Sequence, residues 1–246
     1  MTEPVLIVGA TSAIARALSR KLAAAGHDLY LAARDTDELR RLCADLHTRY
    51  RVHVAFSVFD IEDTASHDML LAAVDETLGG LGGIVLASGA LGDGARIRED
   101  DAMAAHVLAV NFTGPALLLG RCARMLEAKG HGFIIGITSV AGDRGRQSNY
   151  TYGAAKGGLA LYLQGLRNRL YRAGVHVMTV KPGFVDTAMT YGLPGMFLVA
   201  SPEDIATDIM RGLKRRRNVL YTPWFWFGIM WIIRHIPERI FKRLSL

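Results

Sequence analysis

A serine, a tyrosine and a lysine between residues 139 and 156 have the types and spacing for acid–base chemistry. Tyr152 and Lys156 are four residues apart, so on a helix the phenol and the ammonium share one face. A free phenol has a pKa of about 10 and transfers protons poorly at neutral pH, whereas a neighbouring cation favours the phenolate. We therefore expect Lys156 to lower the pKa of Tyr152, so that the tyrosine acts as a general acid or base.

Ser139 comes at the end of an apolar run, residues 132–139, that is typical of a buried strand. Ligands bind at the carboxyl ends of the strands in open α/β sheets, so we expect the Ser139 hydroxyl at that edge. The alternative is that Tyr152 and Lys156 are surface residues of an amphipathic helix, because their spacing is common by chance.

The N-terminal segment has the order strand, tight turn, helix that binds phosphate groups. An apolar run, Val5 to Val8, leads into a small-residue turn, and a helical pattern follows as far as Gly26. Backbone N–H groups at the start of such a helix bind the pyrophosphate of a dinucleotide, although an ordinary strand-to-helix turn looks similar. The contacts expected here are Gly9, Thr11, Ser12, Ala13 and Ile14.

Three more apolar runs end in residues that suit a dinucleotide. The run 29–33 ends before Arg34, which favours the 2′-phosphate of NADP(H) and leaves NAD(H) as the alternative, unless Arg34 is only a solvated loop residue. The run 52–59 ends before Asp60, whose carboxylate we expect to accept a hydrogen bond from the adenine amino group. The other expected contacts follow the third and fourth strands, at Ile61, Ala87, Ser88 and Gly89.

Length and composition predict one α/β domain with a parallel sheet covered by helices on both faces. The chain has 246 residues, and strand-like and helix-like segments alternate along it. The two cysteines, Cys43 and Cys122, and the scattered histidines lack metal-site spacing, so we expect no metal and no disulfide. A reducing compartment, the cytoplasm, follows from this cysteine content, and we expect no signal peptide because the first strand begins at Val5.

The C-terminal region combines aromatic and basic residues. A basic run, Lys214 to Arg217, precedes an apolar segment, 223–233, that contains all three tryptophans, and more basic residues follow. We therefore divide the chain into a catalytic domain, 1–220, and an extension, 221–246. The segment is too short to span a bilayer; it suits a helix in the lipid interface, or one that captures a hydrophobic substrate. The alternative is packing on the core or on a second subunit. Nucleic acid is not expected, because the aromatic residues are contiguous rather than interleaved with charge.

The order and spacing of these motifs resemble the short-chain dehydrogenase/reductase family over residues 4 to 220. The resemblance implies a single-domain Rossmann-type fold, a homo-oligomer and ketone reduction by hydride transfer from the cofactor. The tetrad it implies is Asn111, Ser139, Tyr152 and Lys156, with Asn111 at a helix kink holding a water. Tyr152 and Lys156 are also expected cofactor contacts, Lys156 through the ribose hydroxyls. Residues after the sixth strand would position the carboxamide of the cofactor, and these are Pro182, Val185 and Thr187. Alanines stand at 13 and 15, where the family pattern has glycine.

Three shorter segments, 89–93, 142–159 and 234–244, look similar to the decaprenylphosphoryl-2-keto-pentose (erythro-pentofuranosid-2-ulose) reductases. That similarity implies a polyprenyl-phosphate-linked keto sugar as substrate and peripheral contact with the inner face of the membrane. The expected lid, 189–200, is apolar and suits such a substrate. The alternatives are a reductase of another hydrophobic ketone, and a nucleotide-binding regulator or membrane scaffold without catalysis.

Arg34 provides a test of cofactor choice. A carboxylate at this position repels a 2′-phosphate and accepts from a 2′-hydroxyl, so Arg34→Asp should weaken NADPH binding much more than NADH binding. Fluorescence titration of both cofactors against both proteins measures the change. If the wild type bound NADPH and NADH equally well, and Arg34→Asp changed neither affinity, a role for Arg34 would be contradicted.

Overall fold

The computed structural model describes residues 2–93, 96–192 and 197–244. A sheet of seven parallel strands has the order β3-β2-β1-β4-β5-β6-β7. The strands are β1 (Val5–Val8), β2 (Leu29–Ala33), β3 (Val54–Val58), β4 (Gly83–Leu86), β5 (Phe133–Ile137), β6 (His176–Pro182) and β7 (Val219–Thr222). The helices are α1 (Ala13–Ala24), α2 (Thr36–Tyr50), α3 (His67–Leu78), α4 (Asp101–Leu108), α5 (Gly114–Lys129), α6 (Tyr150–Leu170), α7 (Pro202–Lys214), α8 (Trp226–His235) and α9 (Glu238–Phe241).

The strand order reverses at β1, which pairs with β2 on one side and with β4 on the other. Such a reversal opens a crevice at the carboxyl ends of the strands, where open α/β sheets bind their ligands. The predicted doubly wound parallel sheet is therefore confirmed. The third and fourth strands begin and end within two residues of the predicted positions.

Two buried apolar layers hold the helices on the two faces of the sheet. Successive strand side chains point to opposite faces, so Val5 and Ile7 pack in one layer and Leu6 and Val8 in the other. Leucines of α1 and α2 join the first layer, together with Ile205 and Ile209 of α7. Helices α3, α5 and α6 cover the second layer, so every central strand is buried on both sides.

The helical segment from α4 through α5 is long and apolar enough to cross a membrane by length and composition alone, the one such segment among the described residues. Its inner face packs in the second layer, where Leu118, Leu119 and Cys122 are fully buried. A five-residue π turn, Ala109–Thr113, separates α4 from α5.

The C-terminal region begins inside the sheet. The predicted boundary between residues 220 and 221 falls within β7, where Tyr221 and Thr222 pair with Lys181 and Pro182 of β6. The basic run 214–217 lies before β7, at the amino edge of the sheet, whereas α8 follows the carboxyl edge. The sequence suggests that the basic run flanks the aromatic helix, but in the structure the two lie at opposite edges of the sheet. The basic residues on α8, on α9 and just after them are Arg234, Arg239, Lys242 and Arg243.

Candidate active site

A cavity of about 1080 Å³ opens at the carboxyl edge of the sheet. Its walls come from the start of α1, the turn after β4, the end of β5, the first turns of α6, the segment after β6, and α8. Most of the residues proposed from the sequence line it, namely Thr11, Ser12, Ala13, Ile14, Ala87, Ser88, Gly89, Ser139, Tyr152, Lys156, Pro182, Val185 and Thr187. The structure therefore brings the candidate acid–base group and most of the candidate cofactor contacts to one place.

Five proposed residues do not line this cavity: Gly9, Arg34, Asp60, Ile61 and Asn111. Arg34 is exposed after β2, and Asp60 and Ile61 follow β3, so they lie beyond the cavity at the ends of neighbouring strands. The Asp60 carboxylate accepts a hydrogen bond from the Glu62 N–H at 3.1 Å. The contacts expected of Arg34, Asp60 and Ile61 with a cofactor remain predictions.

Gly9 packs against the backbone of the turn after β4, which lines the cavity. Its φ of +75° is in the left-handed region, and a Cβ there would lie 2.6 Å from the backbone nitrogen of Ser88. Only glycine allows this close approach between the first turn and the turn after β4.

The alanines at 13 and 15 fit the phosphate-binding turn without strain. Ala13 is the first residue of α1, and Ser12 caps that helix through a hydrogen bond from the Ala15 N–H to its Oγ at 3.4 Å. Both alanines have helical backbone, so neither position needs the positive φ that glycine permits. The first turn of α1 contains no acidic residue, and the first N–H groups of a helix lack intrahelical acceptors, so this end can receive an anion.

Lys156 is a buried cation that ties α6 to the sheet. Its Nζ donates to the carbonyl oxygens of Ser88 and Ile137, both at 3.2 Å, and its side chain is almost fully buried. Burial disfavours the charged ammonium and lowers the pKa of Lys156 to about 8.

Tyr152 lies beside this lysine. The Lys156 Nζ is 5.9 Å from the centroid of the Tyr152 ring. Burial raises the pKa of Tyr152 to about 12, and a hydrogen bond with the Ser139 side chain opposes that rise. The expectation that Lys156 lowers this pKa is wrong, because burial of the phenol dominates and the ammonium donates to two carbonyl oxygens instead. The phenol is therefore protonated at neutral pH.

Asn111 braces the turn after β4. It lies in the π turn, and its Nδ2 donates to the carbonyl oxygens of Ala90 at 2.7 Å and Val107 at 2.8 Å. Its Oδ1 accepts from the Ala90 N–H at 3.3 Å. Gly89 lies between this amide and Lys156, since a Cβ there would be 3.2 Å from Oδ1 and 3.4 Å from Nζ. The proposed water-binding role of Asn111 remains a prediction.

The segment after β6 is closed by the C-terminal helix. Trp226 of α8 packs on Gly183, where a Cβ would lie 1.9 Å from the indole nitrogen. Phe184 and Phe197 pack edge-on or tilted against the same indole, with centroids 5.7 and 5.5 Å away. Val185, four residues before the expected lid, forms a bridge with Ala200, the last residue of that lid. Residues 193–196 of that lid lie outside the described part of the chain.

Arg144 anchors the C-terminal region to the segment that carries Ser139. Its Nη1 donates to the carbonyl oxygens of Ile233, Arg234 and Ile236 at 2.6 to 3.1 Å, where α8 ends. Its Nη2 donates to Glu238 at 3.0 Å. Carbonyl groups at the end of a helix lack intrahelical donors, so one guanidinium satisfies several of them at this terminus.

A buried charge pair lies behind this anchor. Lys181 of β6 pairs with Asp143, and the Tyr221 hydroxyl donates to the other oxygen of the same carboxylate at 2.7 Å. Trp226 and Met230 of α8 pack on Val140 in a small apolar cluster beside these groups. The extension is therefore part of the cavity wall, as the packing alternative expected.

Several cavity residues were missed from the sequence. Arg16 and Arg20 follow the phosphate-binding turn at helical spacing, which offered a signal for two charges on one face. Arg146 and Asn149 lie in the loop that connects Ser139 to Tyr152, and because both ends of this loop are at the cavity, the loop also lies beside it. Glu203 comes from a distant segment and gave no local signal, whereas Phe197 and Trp226 belong to the expected lid and to the aromatic segment.

The fold and the cavity define a doubly wound α/β protein with a nucleotide-type crevice beside a Ser–Tyr–Lys cluster. Residues 3–194 match the family model described as short chain dehydrogenase. The chain therefore belongs to the short chain dehydrogenase family and is an oxidoreductase of that class.

Relatives of known sequence or structure resemble the chain over nearly its whole length. It is 35% identical over 241 residues to an uncharacterized oxidoreductase of Mycobacterium tuberculosis, covering 98% of this chain and 96% of the relative. An uncharacterized oxidoreductase of Streptomyces coelicolor is 34% identical over 242 residues, covering 97% and 94%. A short-chain dehydrogenase from Sphingobium yanoikuyae, solved in complex with NADPH, is 25% identical with a TM-score of 0.81, covering 96% and 97%.

The lowered pKa of Lys156 predicts a pH-dependent stability. Between pH 8 and 10 the unfolded chain binds more protons at this lysine than the folded chain, because the ordinary pKa is 10.5 and the folded value is about 8. The free energy of unfolding of the wild type should therefore rise relative to Lys156→Met, by about 1.4 kcal/mol per pH unit. Urea unfolding of both proteins at several pH values measures it. A constant difference across that window would mean that Lys156 titrates normally.

Proposed function

We propose that this oxidoreductase reduces a ketone to a secondary alcohol with NADP(H), and that NAD(H) can replace it less effectively. The observation that carries the proposal is the partly buried Ser139–Tyr152 pair beside the buried Lys156 ammonium, at the wall of one large cavity. The structural relative solved with NADPH supports the cofactor, and exposed Arg34 supports the 2′-phosphate.

The cavity suits a dinucleotide along one side. The start of α1 offers free N–H groups and no acidic residue, and the buried Ser88 Oγ has no partner among the described residues. Thr11 to Ile14 would hold the pyrophosphate, and Val185 and Thr187 would hold the carboxamide. The cofactor supplies the hydride, while the protein orients the reactants and moves a proton.

Tyr152 is the proton donor in this proposal. With a pKa of about 12 the phenol is fully protonated at neutral pH, which suits reduction because the alkoxide product needs a proton. The Ser139 hydroxyl would hold the substrate oxygen beside it. The charge on Lys156 would stabilise negative charge that develops on Tyr152 as the proton leaves, since a cation near a phenol favours its phenolate. Asn111 would complete the tetrad by binding a water.

The walls of the cavity suggest a hydrophobic substrate. Leu91, Ile97, Met189, Phe184 and Phe197 line the cavity beside the polar groups. Burial of apolar substrate surface against such walls contributes about 25 cal/mol per Å². A keto sugar attached to a polyprenyl phosphate combines a polar ketone with a long apolar chain, so it fits both kinds of wall. A different hydrophobic ketone is the alternative substrate.

A regulator or scaffold without catalysis is the second class of function. It would need the fold and the cofactor but not a buried Ser–Tyr–Lys cluster. Burying the Lys156 ammonium is unfavourable, and a protein that only binds nucleotide has no need of that charge beside a phenol. The enzyme proposal is therefore favoured.

Peripheral contact with a membrane is the further proposal for α8. Phe227 and Trp231 are four residues apart on α8 and are 60% and 58% exposed, and Trp224, just before the helix, is 81% exposed. Trp226 and Met230 of the same helix are buried. Basic residues near the exposed aromatic face, Arg234, Arg239, Lys242 and Arg243, would favour anionic lipid. The exposed Leu117 of α5 and Leu161 of α6 lie on other helices and suit self-association into the proposed homo-oligomer.

Tyr152→Phe tests the reaction. The change removes the proton donor but keeps the ring, so turnover should fall by at least about 10²-fold while NADPH affinity stays within about twofold. Tyr150→Phe is the control, because Tyr150 lies two residues earlier and half of its side chain is exposed. Steady-state reduction of a ketone panel and cofactor titration measure both effects. Inactive Tyr150→Phe with active Tyr152→Phe would reverse the assignment.

Substitution of the exposed aromatic face tests membrane contact. Removing residues 222–246 would also remove buried Trp226, Met230 and Phe241, so we prefer the triple change Trp224→Gln, Phe227→Gln and Trp231→Gln. Wild type should float with vesicles of phosphatidylglycerol and phosphatidylcholine at low salt, and the triple variant should stay in the soluble fraction.

The matched control changes three exposed apolar residues elsewhere, Met69→Gln, Leu161→Gln and Tyr171→Gln. This variant should float as the wild type does. A wild type that stays soluble with anionic vesicles at low salt would show that the aromatic face does not bind lipid.

A further inference from the structure

The cavity holds most of the buried polar atoms that lack a protein partner. Among the described residues five such side-chain atoms exist, and four belong to residues that line this one cavity. They are Ser88 Oγ, Arg146 Nε, Asn149 Oδ1 and Trp226 Nε1. Buried polar groups without partners cost about 1–3 kcal/mol each, so their concentration here indicates a polar ligand.

Arg146 is the charged member of this group. Within the described part of the chain no carboxylate pairs with its guanidinium, whereas the other cavity arginines do have partners: Arg16 pairs with Glu38 at 2.8 Å and Arg20 with Asp45 at 3.7 Å. The carboxylate of Asp143, three residues earlier, already binds Lys181 and Tyr221. Arginine stays protonated in proteins, and Asp143 acts on this guanidinium through space without a direct ion pair, so a positive charge with an unused donor lies in the cavity wall.

The position of Arg146 separates it from the expected cofactor phosphates. It lies between Ser139 and Tyr152, in the loop that enters α6, and its carbonyl accepts from the Asn149 N–H at 3.2 Å. The pyrophosphate is expected at α1, which follows β1, whereas the loop of Arg146 follows β5, and β4 lies between these two strands in the sheet. The charge of Arg146 is therefore placed for the substrate rather than for the cofactor.

The start of α6 offers further hydrogen-bond donors to an anion. Its first turn has no acidic residue, and Asn149 forms no side-chain cap, so the first N–H groups remain available to an anion. Arginine and helix N–H groups together are a common pair of donors for an oxyanion. A neutral ketone would leave both without a partner.

We propose that Arg146, with the first turn of α6, binds an oxyanion of the ketone substrate, a phosphate or a carboxylate. The inference rests on the proposed ketone reduction and specifies its substrate class as an anionic ketone. A charge-assisted hydrogen bond contributes about 1.5–3 kcal/mol, which corresponds to roughly 10- to 100-fold in kcat/KM.

Three matched ketones test the proposal: acetophenone, 4-acetylbenzoate and 4-acetylphenyl phosphate. Arg146→Gln should lower kcat/KM for at least one anionic ketone by about tenfold or more, and leave acetophenone within about twofold. The ketone with the larger loss identifies the oxyanion. Arg172→Gln is the matched control, because Arg172 is exposed just after the opposite end of α6 and the charge change is the same.

Binding gives a second measurement that needs no turnover. Decyl phosphate and decanol are titrated calorimetrically into the NADP⁺-saturated protein. Wild type and Arg172→Gln should bind decyl phosphate more tightly than decanol, Arg146→Gln should lose that preference, and Arg146→Lys should restore part of it.

The outcomes separate the two proposals. If decyl phosphate binding depends on Arg146 but the protein reduces none of the three ketones, the oxyanion site is supported. The proposed ketone reduction is then contradicted. Equal losses for acetophenone and the anionic ketones would overturn the oxyanion site while reduction stands. A matching loss of NADPH affinity would assign Arg146 to the cofactor, and a wild type without preference for anions would also overturn the inference.

Discussion

The buried ammonium of Lys156 is the interaction on which the arrangement of the site depends. It joins the backbone after β4 to the end of β5, because its Nζ donates to Ser88 O and Ile137 O. Burying a cation is unfavourable, and the folded chain tolerates it only because two carbonyl oxygens face it. The same bonds fix α6, so the phenol of Tyr152 and the hydroxyl of Ser139 meet at one place. Lys156 therefore lowers the stability of the fold, while it positions the groups of the site.

Close contacts require glycine at two positions beside the cavity. Gly9 must let the first turn approach Ser88, and Gly183 must leave room for the Trp226 indole. Position 13 does not require glycine, since Ala13 begins a regular helix. Loss of glycine from a phosphate-binding turn is therefore compatible with the fold wherever the backbone is already helical.

The sequence predicts the sheet, the order of its strands along the chain and the Ser–Tyr–Lys cluster, because periodicity and spacing are local signals. It does not predict how far the fold removes the phenol of Tyr152 from water, so the expected lowering of the Tyr152 pKa was wrong. The role of Trp226 was also beyond reach, since its contact with Gly183 joins residues 43 positions apart. Likewise the basic run 214–217 adjoins the aromatic segment in sequence, but β7 separates the two in space.

Helix α8 links the outer surface of the protein to the cavity. Trp226 closes the wall at Gly183, and one turn further Met230 packs in the same cluster, while Phe227 and Trp231 face outward. Arg144 holds the end of this helix to the segment that begins at Ser139. A ligand or surface that shifts the outer face of α8 must therefore also shift the Trp226 wall or break the Arg144 contacts. Because close-packed interiors transmit displacement, access to the cavity and contact at the outer surface are mechanically coupled.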